Sequence, residues 1–194
     1  MQGRAVLGRV PRFECLFCEL CCYFEDPVEM PTVFPKEKRL LEELAEERGV
    51  SLEFEPLLVF RDGEGRCAVA LYRWVIRGFC PFFDRGTRRC TIHGSKPLAC
   101  RMYPLLLEVN TGRLMVSGKC EWVRRMGRRL IERLNAQPQL IPRVFPAEFD
   151  AARAAFLEAA SALEYAEKHG LKRVDSVEGC SEVYDFDDYV TRFG

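Results

Sequence analysis

Apolar positions recur at helical spacing in three stretches of the chain and alternate with polar ones in two others. From Lys36 to Arg48, Leu40, Leu41 and Leu44 form one stripe, and Gly49 supplies a stop. Glu121 to Asn135 reads as a second helix, with Arg124, Arg125, Arg128 and Arg129 on one side. Pro146 to Lys168 is the clearest. Pro146 suits a first turn, Phe149, Phe156 and Leu163 recur at heptad steps, an Ala-rich opposite face allows close packing, and Gly170 ends it. Leu57–Phe60 and Cys67–Trp74 flank the turn Arg61-Asp62-Gly63-Glu64-Gly65 and predict a β-hairpin. In its second strand Cys67, Val69, Leu71 and Arg73 alternate with Ala68, Ala70, Tyr72 and Trp74. A second hairpin is expected from Leu105–Val109, a turn at Asn110-Thr111-Gly112, and Arg113–Ser117.

Between these elements lies a stretch without periodicity, Gly78 to Tyr103, rich in Cys, Pro, Gly and Arg. It reads as irregular chain wrapped on something other than its own core. The tail from Leu171 is acidic, with Tyr184, Phe186, Tyr189 and Phe193 interspersed, and suits either a docked strap or a mobile segment. The expected fold is α+β: a small irregular metal-centred domain with β-hairpins and flanking helices over residues 1–135. Residues 136–194 would add a C-terminal long helix and an acidic tail packed on it.

Composition changes this picture through one residue type. The chain of 194 residues has 10 cysteines, about 5%, which is below the roughly 8–10% of a disulfide scaffold. Four of them stand as Cys15-x-x-Cys18-x-x-Cys21-Cys22. A three-residue step brings successive sulfurs toward one point, and thiolates select zinc, copper(I) or iron–sulfur centres. Cys80, Cys90, Cys100 and Cys120 form a wider second set, and Cys80-Pro81 follows the first run as a Cys-Pro step does in ferredoxin-like ligation. Cys67 fits a small buried apolar residue or an extra ligand, and Cys180 a bystander.

Forty-eight per cent hydrophobic residues, with 14 Phe, can build a core beside the metal. Met1–Val10 carries Arg4 and Arg9 without a following apolar run, so no secretory leader is expected. No stretch nears the roughly eighteen apolar residues of a membrane span. A cytoplasmic chain with many thiols is expected to bind metal with them, hyperthermophile disulfides being the exception. Net charge is zero but uneven. Residues 14–64 hold 5 basic and 14 acidic side chains, residues 66–133 hold 15 basic and 4 acidic. Cations flanking Cys90 and Cys100 (Arg88, Arg89, Arg101) would stabilise a centre made negative by its thiolates, while the two segments also suit mutual neutralisation.

Four segments carry a resemblance. Phe13-x-Cys15-x-x-Cys18-x-x-Cys21-Cys22, Cys80-Pro81-Phe82-Phe83, Cys90-Thr91-Ile92-His93 and Pro97-x-x-Cys100-Arg101-x-Tyr103-Pro104, followed by Cys120, resemble the YkgJ-type cysteine-cluster family. The resemblance spans roughly residues 13–120 and implies a zinc- or iron-chelating domain with Cys15, Cys18, Cys21, Cys22, Cys80, Cys90, Cys100 and Cys120 as ligands. A similar domain forms part of flagellin lysine-N-methylases. His93 stands where the family commonly has Tyr, and Lys96 where it has Arg. His93 can thus ligate, donate to a thiolate, or simply face solvent. His169 suits a helix C-terminus.

Zinc knuckles call for paired Cys-x-x-Cys units, which the second set lacks. Isolated ligands on several loops favour an iron–sulfur cluster, 4Fe–4S first, with Cys15, Cys18, Cys21 and Cys80 as the primary set and the other four completing it or forming a second. The expected function is redox or electron transfer with a protein redox partner. The alternatives are a structural zinc interaction module, or an accessory or catalytic domain of a protein lysine methylase-like enzyme acting on a protein substrate. No phosphate loop, nucleophile elbow or dinucleotide fingerprint is present, so no catalytic residue is assigned. The arginines of residues 124–129 lack interleaved aromatics, which argues against nucleic acid.

Overall fold

The computed structural model describes residues 10–194, so the expectation of no leader rests on residues almost wholly outside the described ones. A short strand β1 (Tyr23–Phe24) and a second, β2 (Thr32–Val33), precede helix α1 (Pro35–Glu46). Pro35 occupies the first turn, and the Glu37 carboxylate accepts from the Phe34 amide at 3.0 Å, satisfying an otherwise orphaned donor. Strands β3 (Glu53–Arg61) and β4 (Cys67–Val75) form the expected hairpin. Asp62 organises its turn, accepting from the amides of Glu64 and Arg66 at 2.9 Å each.

The hairpin is not a simple alternation. Opposite pairing runs Pro56↔Tyr72, Leu58↔Leu71, Val59↔Val69, so Leu57 and Ala70 are extra residues in their strands. The irregularity flips the side-chain phase. Tyr72 and Trp74 therefore join Cys67 and Val69 in one core cluster, with Val59, Leu41, Phe82 and Ile92, whereas Leu71 turns to the other face with Ala70. The alternating set expected from the sequence holds only up to Val69.

The stretch expected to be irregular folds into small pieces: β5 (Gly78–Phe79), β6 (Phe83–Asp84), β7 (Arg89–Cys90) and a five-residue helix α2 (Leu98–Met102). Strands β8 (Leu105–Glu108) and β9 (Arg113–Val116) pair as expected. The helix expected over residues 121–135 is two, α3 (Glu121–Met126) and α4 (Arg128–Ala136). Gly127 stands between them at φ +78, a conformation that caps one helix and starts another at low cost only for glycine. A short α5 (Ile141–Val144) then leads into α6 (Pro146–Lys168), whose bounds match the expectation.

Two layers cover the sheet. Ala155, Ala159, Ala162 and Ala166 of α6 lie against Leu58, Phe60, Ala70 and Leu71, the small side chains permitting close approach. On the opposite face α1 delivers Leu41 and Ala45. A further cluster draws Leu105, Trp122, Val123 and Leu134 together with Val144, Phe145, Ala151 and Ala152, and so joins residues on both sides of position 135.

The tail is a strap. Strand β10 (Lys172–Val174) pairs antiparallel with β3, and β11 (Val183–Asp185) runs parallel to β4, with Val183 opposite Cys67. Helix α7 (Phe186–Phe193) follows, burying Tyr189, whose hydroxyl donates to Asp62 at 2.9 Å. Arg39 pairs with Asp185 and Asp187, and Tyr72 donates to Asp185. Cys67 and Cys180 form a disulfide across 113 residues. This corrects the readings of Cys67 as an unbonded core residue and of Cys180 as a bystander. The strand added beside β4 brings the tail to Cys67, which no local pattern announces. Among the described residues no helix is long and apolar enough to cross a membrane.

Candidate metal centre

The eight remaining cysteines are free, and all of them lie on loops or very short elements. Phe13 anchors the first loop. Its amide donates to the Val144 carbonyl at 2.7 Å, and its ring packs edge-on to Trp122 and against Phe145. Two residues later the chain reaches Cys15, which is exposed. Phe17 and Glu19 adopt positive φ, +51 and +63, a conformation that costs non-glycine residues energy and bends the loop around Cys18. A single 3-10 turn, closed by the Cys22 amide on the Glu19 carbonyl, carries Leu20–Cys22. The sulfurs of Cys21 and Cys22 lie 3.8 Å apart.

Backbone pairing then sets the second group against the first. Strand β1 pairs with β5, and the Cys80 amide donates to the Cys22 carbonyl at 2.7 Å. Pro81 turns the chain and fully buried Phe82 plants the turn against Trp74. Phe83 pairs with Cys90 across β6 and β7, while the Thr91 amide and hydroxyl both donate to the Phe82 carbonyl. Cys100 sits in α2, whose first amide, that of Leu98, donates to Glu37 at 2.7 Å. Glu37 thus joins α1 to the Cys100 helix through its two oxygens, and burial raises its pKa against the opposing pull of both amides. Cys120 precedes α3, and neighbouring Lys119 donates to the Tyr23 carbonyl at 2.8 Å and to Glu29.

Burial and neighbouring thiols raise several of these cysteines above the ordinary thiol range. Cys100 is pushed well above the ordinary thiol range by burial, then by Cys80, Cys21 and Cys90. Burial lifts Cys80 to about 12 despite the Phe82 amide, with Cys90 and Cys21 adding to the rise. Cys21 is raised by its hydrogen bond to Cys22, by burial and by the Cys22 charge, and Lys96 opposes the rise. Burial raises Cys90 too, against the Ile92 amide and Lys96, with Cys21 again adding. Cys120, raised by burial, feels Cys18 and Cys21 instead. Cys21 is common to both sets.

No three of these sulfurs lie within 4.8 Å of one another among the described residues. The group that does, Asp185, Asp187 and Asp188, has two members already paired with Arg39. His93 is exposed in a 3-10 turn, its pKa lowered by Lys96, by partial burial and by Arg89. Sequence reasoning missed the parts played by Glu37 and Lys119, which lie outside the cysteine motifs. In the sequence Lys96 stands out only as a departure from a family pattern. No curated protein and no solved structure matches the chain. A family model described as "Putative zinc- or iron-chelating domain" matches residues 14–121, and the chain belongs to that CxxCxxCC family.

Proposed function

We propose that the protein holds an iron–sulfur centre, 4Fe–4S in the first instance, and exchanges electrons with a protein partner. The observation that supports this reading is that Cys80, Cys90, Cys100 and Cys120 come singly from separate short elements and loops, without the paired Cys-x-x-Cys units of zinc knuckles. Cys21, Cys80, Cys90 and Cys100 are the ligands we assign to the first centre, because the Cys80 amide is bonded to the Cys22 carbonyl beside Cys21, Cys90 lies opposite Phe83 just after Cys80, and buried Cys100 feels Cys80, Cys21 and Cys90. This exchanges two members of the set suggested by sequence spacing. Cys15, Cys18, Cys22 and Cys120 complete it or hold a second.

The surrounding residues fit a thiolate-bound group. Lys96 favours the charged forms of Cys21, Cys90 and Cys100. The Phe82 and Ile92 amides do the same for Cys80 and Cys90. Glu37 fixes the start of the Cys100 helix. A bound cluster supplies one-electron chemistry. The test is iron and acid-labile sulfide content of anaerobically isolated protein, with both expected together with broad visible absorbance. Colourless protein with stoichiometric zinc would support the second reading, structural zinc. One distance favours it, since Cys21 and Cys22 sulfurs stand 3.8 Å apart, the edge of a zinc tetrahedron. The methylase-like reading draws on family resemblance alone.

A further inference from the structure

The mouth of the cysteine centre carries a charged face that ligand binding does not use. Arg85, Arg88 and Arg89 project from the β6–β7 hairpin and all are exposed. The hairpin turn is rigid, because Asp84 accepts from the amides of Gly86 and Thr87 at 2.8 and 3.1 Å. Among the described residues Arg85 and Arg89 make no ion pair, and Arg88 reaches Glu19 only at 4.0 Å. Both unpaired guanidiniums lie over aromatic rings: Arg89 is 3.8 Å from the Phe17 centroid, Arg85 4.7 Å from that of Phe79. Phe17 is itself exposed, as is Leu16, in the loop between Cys15 and Cys18. Phe17, at positive φ and stacked under Arg89, and its aliphatic neighbour Leu16 are therefore partly exposed in the loop between two of the cysteines.

We propose that this face docks an acidic protein surface, the partner of the centre. That it serves the centre's partner rests on the iron–sulfur reading; the binding itself does not. Charge complementarity selects the partner: Arg85, Arg88 and Arg89 present exposed positive charge on one hairpin, with Arg89 stacked on Phe17 and apolar Leu16 next to it in sequence. A patch of this extent fits the small, transient contacts typical of redox pairs. Nucleic acid fits less well. Arg89 already covers the Phe17 ring, removing it as a base-stacking surface, and Glu19, 4.0 Å from Arg88, would repel a phosphate there.

The test uses the full chain isolated without oxygen and a fluorescently labelled polyglutamate peptide, read by anisotropy at low salt. A variant with Arg85→Ala, Arg88→Ala and Arg89→Ala is compared with Arg124→Ala, Arg128→Ala and Arg129→Ala, which removes equal charge from α3 and α4. The hairpin variant is expected to bind about tenfold more weakly and the helix variant as wild type does. Binding by wild type should also weaken as salt rises. Equal loss in both variants, no loss in the hairpin variant, salt-independent binding, or tighter binding of an oligothymidylate would each overturn the proposal. So would loss of binding that occurs only with loss of metal, measured on the same samples. Zinc in place of iron and sulfide would defeat the iron–sulfur reading and leave the peptide result standing.

Discussion

Two regions of this molecule join distant chain through sulfur, and they do it in opposite ways. At the sheet edge, two cysteines 113 residues apart close one covalent bond beside a fully buried strand position. Elsewhere, eight free thiols lie on loops, one 3-10 turn, a two-residue strand and a five-residue helix. The first region is already dry and ordered, with β11 paired to β4 and Tyr189 buried beneath it. In the second, short elements are held by single hydrogen bonds such as Cys80 to Cys22 and Leu98 to Glu37. One region has regular structure that sulfur reinforces. The other has sulfur spread over short elements with little regular structure, where a group bound by the thiols would add stability.

The sharpest way to break the contrast is to remove one thiol from each side. Cys21→Ser takes away the residue common to both thiol groupings, and we expect loss of bound metal with about 4 kcal/mol or more of stability, read by elemental analysis and denaturant unfolding. Unchanged metal content would disprove the assignment of Cys21. Cys180→Ser, by contrast, should leave metal content alone and cost about 2–5 kcal/mol, as expected for a bond closing a long loop. If the Cys180 variant also loses metal, the two regions are not independent.

Smaller effects sharpen the same contrast. Glu37→Ala leaves the buried amides of Phe34 and Leu98 without their acceptor, an expected cost of about 1–3 kcal/mol. Because Leu98 opens the Cys100 helix, metal retention under a chelator should fall as well. A variant that is less stable yet holds metal as firmly as wild type would reduce Glu37 to a helix cap.

The smallest expected effect is a pH response confined to the strap. Burial works against the Asp62 carboxylate, but Arg66, the Tyr189 hydroxyl and two backbone amides hold its pKa below the usual value. The native pKa is thus lower than the unfolded one. Its contribution is full above the ordinary carboxylate pKa, about 3.9, and is lost as pH falls through the lowered native value. Hydrogen exchange in α7 should therefore quicken in acid before exchange in α6 does, and Asp62→Asn should flatten that response.

How much of this was legible in the sequence differs between the regions in the same way. The long helix could be read to its end residues, since Pro146, the alanine face and Gly170 all act locally. Both hairpins were legible from alternation and turn residues, but the phase change around Ala70 was not, because a bulge depends on the partner strand. Gly127 was visible as a residue while its positive φ, which divides the expected helix, was not. The disulfide was hidden for a related reason: Cys180 meets Cys67 only through a parallel pairing that carries no local periodicity. The cysteine motifs are visible in spacing alone, and the family match over residues 14–121 spans all eight free cysteines. The contribution of Glu37, from 61 residues before Leu98, arises only when the short elements assemble.

The most direct test of the central claim is X-ray absorption at the metal edge of protein isolated without oxygen. An iron–sulfur centre predicts absorption at the iron edge, with sulfur neighbours and a further shell from adjacent iron atoms. A zinc edge with four sulfurs at about 2.3 Å, and no metal neighbour, would contradict it.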